Sequence, residues 1–86
     1  MGCRGVRVTL YSRPGCHLCD EARDAITSRR RELPDFELEE VNIEGDPDLH
    51  ARYLERIPVI EVEGEVVCEL HLDLALLRSR LDTVTP

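Results

Sequence analysis

The sequence predicts a small α/β domain in which a four-stranded mixed sheet carries helices on both faces. Segments with alternating apolar residues and segments of helical periodicity follow each other in the order β-α-β-α-β-β-α, and turn-forming residues separate them. The chain has 86 residues, which is the length of one domain with a limited core. We therefore expect a single domain over residues 1–86, ordered over about residues 5–81.

The first strand is predicted at residues 6–11 and the first helix at residues 16–33. The strand segment alternates apolar and polar residues and is rich in β-branched side chains, and the turn sequence Ser-Arg-Pro-Gly follows it. No proline or glycine interrupts residues 16–33, where apolar residues recur at helical spacing. The arginines at 29–31 are expected in the last turn of this helix, where positive charge complements the helix dipole, and a solvated basic face accounts for them equally well.

Five further elements are predicted after the first helix: a strand at 36–43, a helix at 47–55, strands at 58–62 and 66–70, and a helix at 72–81. Asp46 is expected to cap the second helix, because an acidic residue followed by proline is typical of a helix start. The turn Glu63-Gly64 joins the last two strands in a hairpin. A helix between the first two strands makes them parallel, whereas the hairpin adds antiparallel strands. Residues 82–86 are expected to fray.

Composition excludes several classes of partner. The formal net charge is −7 and the chain has one phenylalanine, two tyrosines and no tryptophan, so it lacks the basic and aromatic surface that nucleic acids require. No apolar run is long enough to span a bilayer, and no signal segment opens the chain. We therefore expect a soluble cytoplasmic protein without nucleic-acid or membrane partners. We also expect a monomer. Four cysteines in a reducing compartment are more typical of catalysis or metal binding than of a disulfide framework.

Cys16 and Cys19 form a Cys-x-x-Cys motif at the start of the first helix. Unpaired N–H groups and the helix dipole favour an anionic sulfur there. The motif alone fits redox chemistry, metal binding or two buried apolar residues, and its place between a first strand and a first helix favours redox chemistry. We expect Cys16, at the helix tip, to attack and Cys19, nearly one turn inside, to resolve. Arg13 and His17 add positive charge beside the sulfur.

Residues 11–19, which read Tyr-Ser-Arg-Pro-Gly-Cys-His-Leu-Cys, and residues 56–59, which read Arg-Ile-Pro-Val, resemble the motifs of glutaredoxins. The resemblance is closest to the short glutaredoxin-like proteins of bacteria, and it covers about residues 5–81. It implies a thioredoxin fold and a thiol–disulfide oxidoreductase. It also implies a cis bond between Ile57 and Pro58, with Pro58 facing the nucleophile and the backbone N–H and C=O of Ile57 free to pair with a bound substrate.

The glutathione site of glutaredoxins is only half matched. Arg13 matches the cation that meets the glycyl carboxylate, but Cys68 and Glu69 stand where glutaredoxins have a Gly-Gly pair, and His71 stands near the place of the following aspartate. We therefore expect no tightly bound cofactor and only weak reduction by glutathione. A thioredoxin-reductase-type enzyme or another dithiol is the expected electron donor, and a protein or small-molecule disulfide is the expected substrate.

Two other classes of function stay open at this point. One is a metal or iron–sulfur module at Cys16 and Cys19, although two thiolates fall short of the usual four ligands. The other is an interaction domain with a vestigial dithiol. Cys68 is expected to be a small buried residue, and the alternative is a third thiol near the site, because a two-residue turn would place it opposite Val59. Cys3 is expected to be a terminal thiol outside the fold.

Overall fold

The computed structural model describes residues 6–84, so Cys3, Thr85 and Pro86 lie outside the described residues. The predicted order β-α-β-α-β-β-α is confirmed. The elements are β1 (Arg7–Ser12), α1 (His17–Ser28), β2 (Glu37–Asn42), α2 (Pro47–Tyr53), β3 (Val59–Val62), β4 (Glu65–Glu69) and α3 (Leu74–Val84). A short 3-10 turn follows α1 at Arg30–Glu32 and another follows β2 at Ile43–Gly45.

The four strands form one sheet in the order β2-β1-β3-β4. β1 runs parallel to β2 and antiparallel to β3, and β3 and β4 form the predicted antiparallel hairpin. Because β1 lies in the middle of the sheet, its C-terminal end leads directly from a central strand into the motif at residues 16–19. The two cysteines of the motif are thus anchored to the centre of the fold.

Each face of the sheet has its own apolar cluster, because side chains alternate between the faces along a strand. The larger cluster lies beneath α1 and α3 and includes Val8, Leu10, Ile26, Ile60, Leu77 and Leu81. The smaller cluster lies beneath α2 and contains Cys19, Ile43, Tyr53, Ile57 and Val59. Helices therefore cover both faces of a mixed four-stranded sheet, as predicted.

Helix boundaries follow local capping more closely than the apolar pattern. Asp46 caps α2 as predicted, since its carboxylate accepts the N–H groups of Asp48 and Leu49 at 2.9 and 3.4 Å. Asp73 caps α3 in the same way, which moves the start of that helix from the expected residue 72 to Leu74. The same helix continues to Val84, so the expected fraying from residue 82 is wrong for the part that is described.

The first helix is shorter than predicted. It ends at Ser28, and the arginines expected in its last turn lie at its cap and in the 3-10 turn that follows. Arg30 explains the change: its guanidinium lies 4.4 Å from the ring centre of Phe36 and donates to the Phe36 carbonyl oxygen. These contacts fold the chain back toward β2, and a straight continuation of α1 would lose them.

The predicted pairing of β3 with β4 is wrong by one residue at the end of the hairpin that lies away from the turn. Cys68 pairs with Ile60, not with Val59, because a bulge between Ile60 and Glu61 leaves Val67 as an extra residue in β4. The side chain of Cys68 therefore belongs to the larger cluster, and its Sγ lies 3.7 Å from the carbonyl oxygen of Asp73. Cys68 is buried and is not part of a disulfide, in agreement with the expectation of a small buried residue.

Candidate active site

Cys16 and Cys19 form a disulfide whose Cα atoms lie 5.2 Å apart. Cys16 is the N-cap of α1 and not its first helical residue, and its Sγ accepts the N–H of Cys19 at 3.2 Å. A tight turn presents this cap: the N–H of Cys16 donates to the carbonyl oxygen of Arg13 at 3.2 Å, and Gly15 has a φ of +80°. An N-cap sulfur that receives a helical N–H is well placed to carry negative charge once the disulfide is reduced.

The two sulfur-bearing residues differ in exposure. Cys19 is completely buried, whereas Cys16 is partly exposed. Cys19 lies three residues into α1 with its side chain among the residues of the smaller cluster, and Cys16 packs only against the edge of that cluster. A substrate that approaches from solvent therefore meets the sulfur of Cys16 first.

The segment that precedes β3 lies at the same site. Ile57 belongs to the same smaller cluster as Cys19, and the bond between Ile57 and Pro58 is cis, as predicted. Pro58 is fully buried. The N–H of Leu70 donates to two carbonyl oxygens of this segment, that of Arg56 at 2.9 Å and that of Pro58 at 3.0 Å. The end of β4 therefore holds this segment in place from the other side.

The prediction of a free Ile57 N–H is wrong. This N–H donates to the carbonyl oxygen of Tyr53 at 3.0 Å, and the N–H of Arg56 donates to the same oxygen at 2.8 Å. Both bonds arise because the chain leaves α2 through a tight turn instead of an extended link. Of the two backbone groups expected to dock a substrate, the carbonyl of Ile57 is the one that remains in the hypothesis.

Both predicted cations near the sulfur have acidic partners. The guanidinium of Arg13 lies 3.9 Å from the carboxylate of Glu44, and Nε2 of His17 lies 2.8 Å from the carboxylate of Glu21. His17 is strongly exposed, with 84% of its side chain accessible. The positive charge expected beside Cys16 is thus partly offset by neighbouring carboxylates.

The two residues at the Gly-Gly position, Cys68 and Glu69, differ in exposure. Cys68 points into the larger cluster and leaves the site clear, so only Glu69 projects toward solvent. The carboxylate of Glu69 lies 3.7 Å from the guanidinium of Arg56. Its charge is therefore partly compensated by that of Arg56.

Sequence analysis missed a cluster formed by Tyr11, Tyr53 and Glu61. The two carboxylate oxygens of Glu61 each accept one tyrosine hydroxyl at 3.2 Å, and the two ring centres lie 4.8 Å apart. The signal in the sequence is weak, because it consists of single residues on β1, α2 and β3. The register that pairs Thr9 with Glu61 brings them together, and that register depends on contacts distant in sequence.

Burial, together with the charge and hydrogen bond of Glu61, raises the pKa of Tyr11 from 10.0 to about 12. The folded state favours the neutral phenol of Tyr11, and this preference adds to the free energy of unfolding. The added stability is present in full below pH 10. We expect it to be lost as the pH rises from 10 through 12, because the unfolded chain ionises first. Tyrosinate absorbance of Tyr53→Phe should report Tyr11 alone, since the chain has two tyrosines and no tryptophan. Ionisation of Tyr11 near pH 10 would contradict the prediction.

Two structural findings bear on other classes of function. Within residues 6–84, no group of three or more His, Cys, Asp or Glu side chains is arranged to hold a metal ion. Over the same part of the chain, none of the helices has the length and apolar character needed to cross a bilayer.

Comparison with known proteins places the chain in a family. The model of the Glutaredoxin-like domain (DUF836) matches residues 7–82. Protein Ne2328 from Nitrosomonas europaea, solved by NMR, is 30% identical, with a TM-score of 0.79 over 94% of this chain and 96% of that one. The crystal structure of protein XcR50 from X. campestris is 33% identical, with a TM-score of 0.69 over 91% of this chain and 99% of that one.

A mutant thioredoxin from Halobacterium salinarum is 19% identical and has a TM-score of 0.65 over 94% of this chain and 75% of that one, a likeness that concerns the fold alone. A search of curated proteins finds no significant match. The fold predicted from the resemblance, a thioredoxin fold, is confirmed. With the family model spanning nearly all of the described residues, the chain belongs to the Glutaredoxin-like domain family.

Proposed function

We propose that this protein is a thiol–disulfide oxidoreductase in which Cys16 attacks a substrate disulfide and Cys19 resolves the mixed disulfide. The observation that supports this most directly is the asymmetry of the pair: a partly exposed N-cap sulfur is bonded to a completely buried one. In such a pair, the sulfur of Cys16 can reach a substrate, and the sulfur of Cys19 lies close enough to attack Cys16 afterwards. A dithiol that acts as a reductant fits a reducing compartment such as the cytoplasm.

The reaction begins with the reduced protein. The thiolate of Cys16 attacks one sulfur of the substrate disulfide, the substrate S–S bond breaks, and the other substrate sulfur leaves as a thiolate that takes up a proton. The thiolate of Cys19 then attacks the sulfur of Cys16, the mixed disulfide breaks, and the second substrate thiol is released. Two electrons have passed to the substrate, and the protein is left with the Cys16–Cys19 disulfide for a donor dithiol to reduce.

Substrate docking is proposed to involve the segment beside the dithiol. Ile57 belongs to the cluster that holds Cys19, and its carbonyl is the proposed docking group. Pro58 is fully buried just before the start of β3, so its proposed part is to hold that carbonyl in place. Arg13 and His17 are proposed to shape the charge that a substrate meets, each moderated by its acidic partner.

A trapping experiment tests the proposal. With a disulfide-bridged peptide as substrate, Cys19→Ser should accumulate a protein with one peptide thiol attached at Cys16, because the resolving thiolate is missing. Intact mass and peptide mapping measure the adduct. Cys16→Ser is the matched control and should form none. An adduct at Cys19 in the control, or none in Cys19→Ser, would contradict the assigned roles.

The proposed electron donor is a dithiol or a thioredoxin-reductase-type enzyme, with glutathione as a weak donor. In the glutaredoxin arrangement, Arg13 meets one carboxylate of glutathione, but here Glu44 competes for that guanidinium. Glu69 stands near the other carboxylate, and Arg56 compensates its charge only in part. These contacts weaken glutathione binding without abolishing it.

We expect glutathione to support slower turnover than a dithiol at matched concentration. Glu44→Gln and Glu69→Gly should each lower the KM for glutathione by up to about fivefold, since an exposed ion pair is worth about 0–1 kcal/mol. Coupled turnover with each donor measures this, and Glu32→Gln, which removes an acid that pairs with Arg29 away from the dithiol, is the control. Efficient use of glutathione that neither substitution improves would refute the prediction.

A further inference from the structure

The carboxylate of Glu61 ties three elements of the fold together. Its Oε1 accepts the hydroxyl of Tyr11 from β1, and its Oε2 accepts the hydroxyl of Tyr53 from α2, each at 3.2 Å. Glu61 itself lies on β3. An ionised carboxylate is suited to this arrangement because it offers an acceptor oxygen to each of two donors, and hydrogen bonds to a charged acceptor are stronger than neutral ones.

Tyr53 connects this carboxylate to the segment beside the dithiol. Its ring is buried in the smaller cluster together with Cys19 and Ile57. Its carbonyl oxygen accepts the N–H groups of Arg56 and Ile57 at 2.8 and 3.0 Å. The side chain of Tyr53 is thus fixed by Glu61, and its backbone fixes the residue that precedes Pro58.

Tyr11 provides a second connection on the same face. Its ring stacks at a tilt on the ring of Tyr53, and both Tyr11 and Cys16 pack against the smaller cluster. The hydroxyl of Tyr11 also donates to Glu61, so the carboxylate restrains both rings at once. A shift of either ring would be transmitted to the residues on which the dithiol packs.

We propose that Glu61 is a positioning residue that fixes Tyr53, and through Tyr53 the Ile57–Pro58 segment, in the place where a disulfide substrate docks beside Cys16. The inference deepens the proposed function and rests on it for the docking step. The carboxylate accepts hydrogen bonds from the two hydroxyls and acts through the placement of Tyr53. Its effect is therefore expected on substrate binding more than on the exchange of sulfur bonds.

The test uses three variants of the full chain. Glu61→Leu removes both acceptor oxygens, and Tyr53→Phe removes one hydroxyl while it keeps the ring and the backbone carbonyl. Glu39→Leu is the matched control, since Glu39 is an exposed acid on β2, which β1 separates from β3, and it pairs with Arg7 at 4.0 Å. If Glu61→Leu fails to fold, Tyr53→Phe carries the test.

The first measurement is amide hydrogen exchange, which does not depend on activity. Because the Ile57 N–H is bonded to the Tyr53 carbonyl, its exchange should be about tenfold faster in Glu61→Leu and Tyr53→Phe. Leu10, in the central strand, reports global opening and should change much less. The control Glu39→Leu should leave the exchange of Ile57 at the rate of the unsubstituted protein.

The second measurement is steady-state reduction of a disulfide-bridged peptide. The KM should rise about three- to tenfold in Glu61→Leu and Tyr53→Phe while kcat stays within about twofold, and the control should change neither. Unchanged Ile57 exchange would overturn the positioning role, and faster exchange with unchanged KM would overturn the link to docking. If the unsubstituted protein fails to reduce the peptide, the proposed function and the docking link fall together, and the exchange data alone decide whether Glu61 positions Ile57.

Discussion

Cys16→Ser should lower the rate of disulfide reduction on the order of a thousandfold or more. A serine hydroxyl at the N-cap keeps the cap but lacks the nucleophilic sulfur on which the whole exchange depends. Cys68 cannot take over, because burial raises the pKa of its thiol and its side chain lies inside the larger cluster. Turnover of a disulfide-bridged peptide with a dithiol donor measures the loss.

Two controls separate loss of the nucleophile from other effects. Cys68→Ala should retain activity within about twofold, since this residue lies outside the dithiol. Cys19→Ser also removes the disulfide crosslink but should still react once with the substrate at Cys16. Residual turnover by Cys16→Ser within tenfold of the unsubstituted protein would show that a different residue performs the attack.

Leu77→Ala should reduce the free energy of unfolding by about 3–4 kcal/mol, within the usual range for a fully buried leucine. Leu77 has no exposed surface and packs in the larger cluster, where α3 meets the sheet. For a chain of this size the loss is a large part of the total stability. Urea unfolding followed by circular dichroism measures it, with a reducing agent present throughout so that one redox form is compared.

Leu76→Ala is the matched control, because Leu76 is the neighbouring residue on the same helix and is 52% exposed. Its cost should stay below about 0.5 kcal/mol, since little apolar surface returns to water and alanine favours helix. Equal destabilisation by the two substitutions would mean that α3 does not pack on the sheet as described.

Features determined by neighbouring residues can be predicted from the sequence. The alternation in β1, the Asp46-Pro47 helix start and the Cys-x-x-Cys motif each depend on a few adjacent positions, and all three appear where expected. The cis bond before Pro58 is predictable only through the resemblance to glutaredoxins, because the sequence around a proline favours the trans form on its own.

Features that depend on distant contacts could not be predicted. The bulge at Val67 changes which residue faces Ile60, and nothing in the hairpin sequence marks the extra residue. The bond from the Ile57 N–H to Tyr53 depends on how the chain leaves α2, and the tyrosine cluster around Glu61 depends on the pairing of β1 with β3. In each case tertiary packing determines the partner, and the local sequence pattern does not specify that packing.

The burial of Cys68 gives the oxidised protein an internal reporter of its own opening. With Cys3 replaced by alanine, Cys68 is the one thiol left in the oxidised chain, and it is buried in the larger cluster, where β4 meets α3. When reclosing is fast, the rate at which a small thiol reagent modifies it equals the intrinsic rate multiplied by the equilibrium constant for opening. A time course in native buffer therefore measures the rare open population directly, without denaturant and in mixtures where spectroscopy fails.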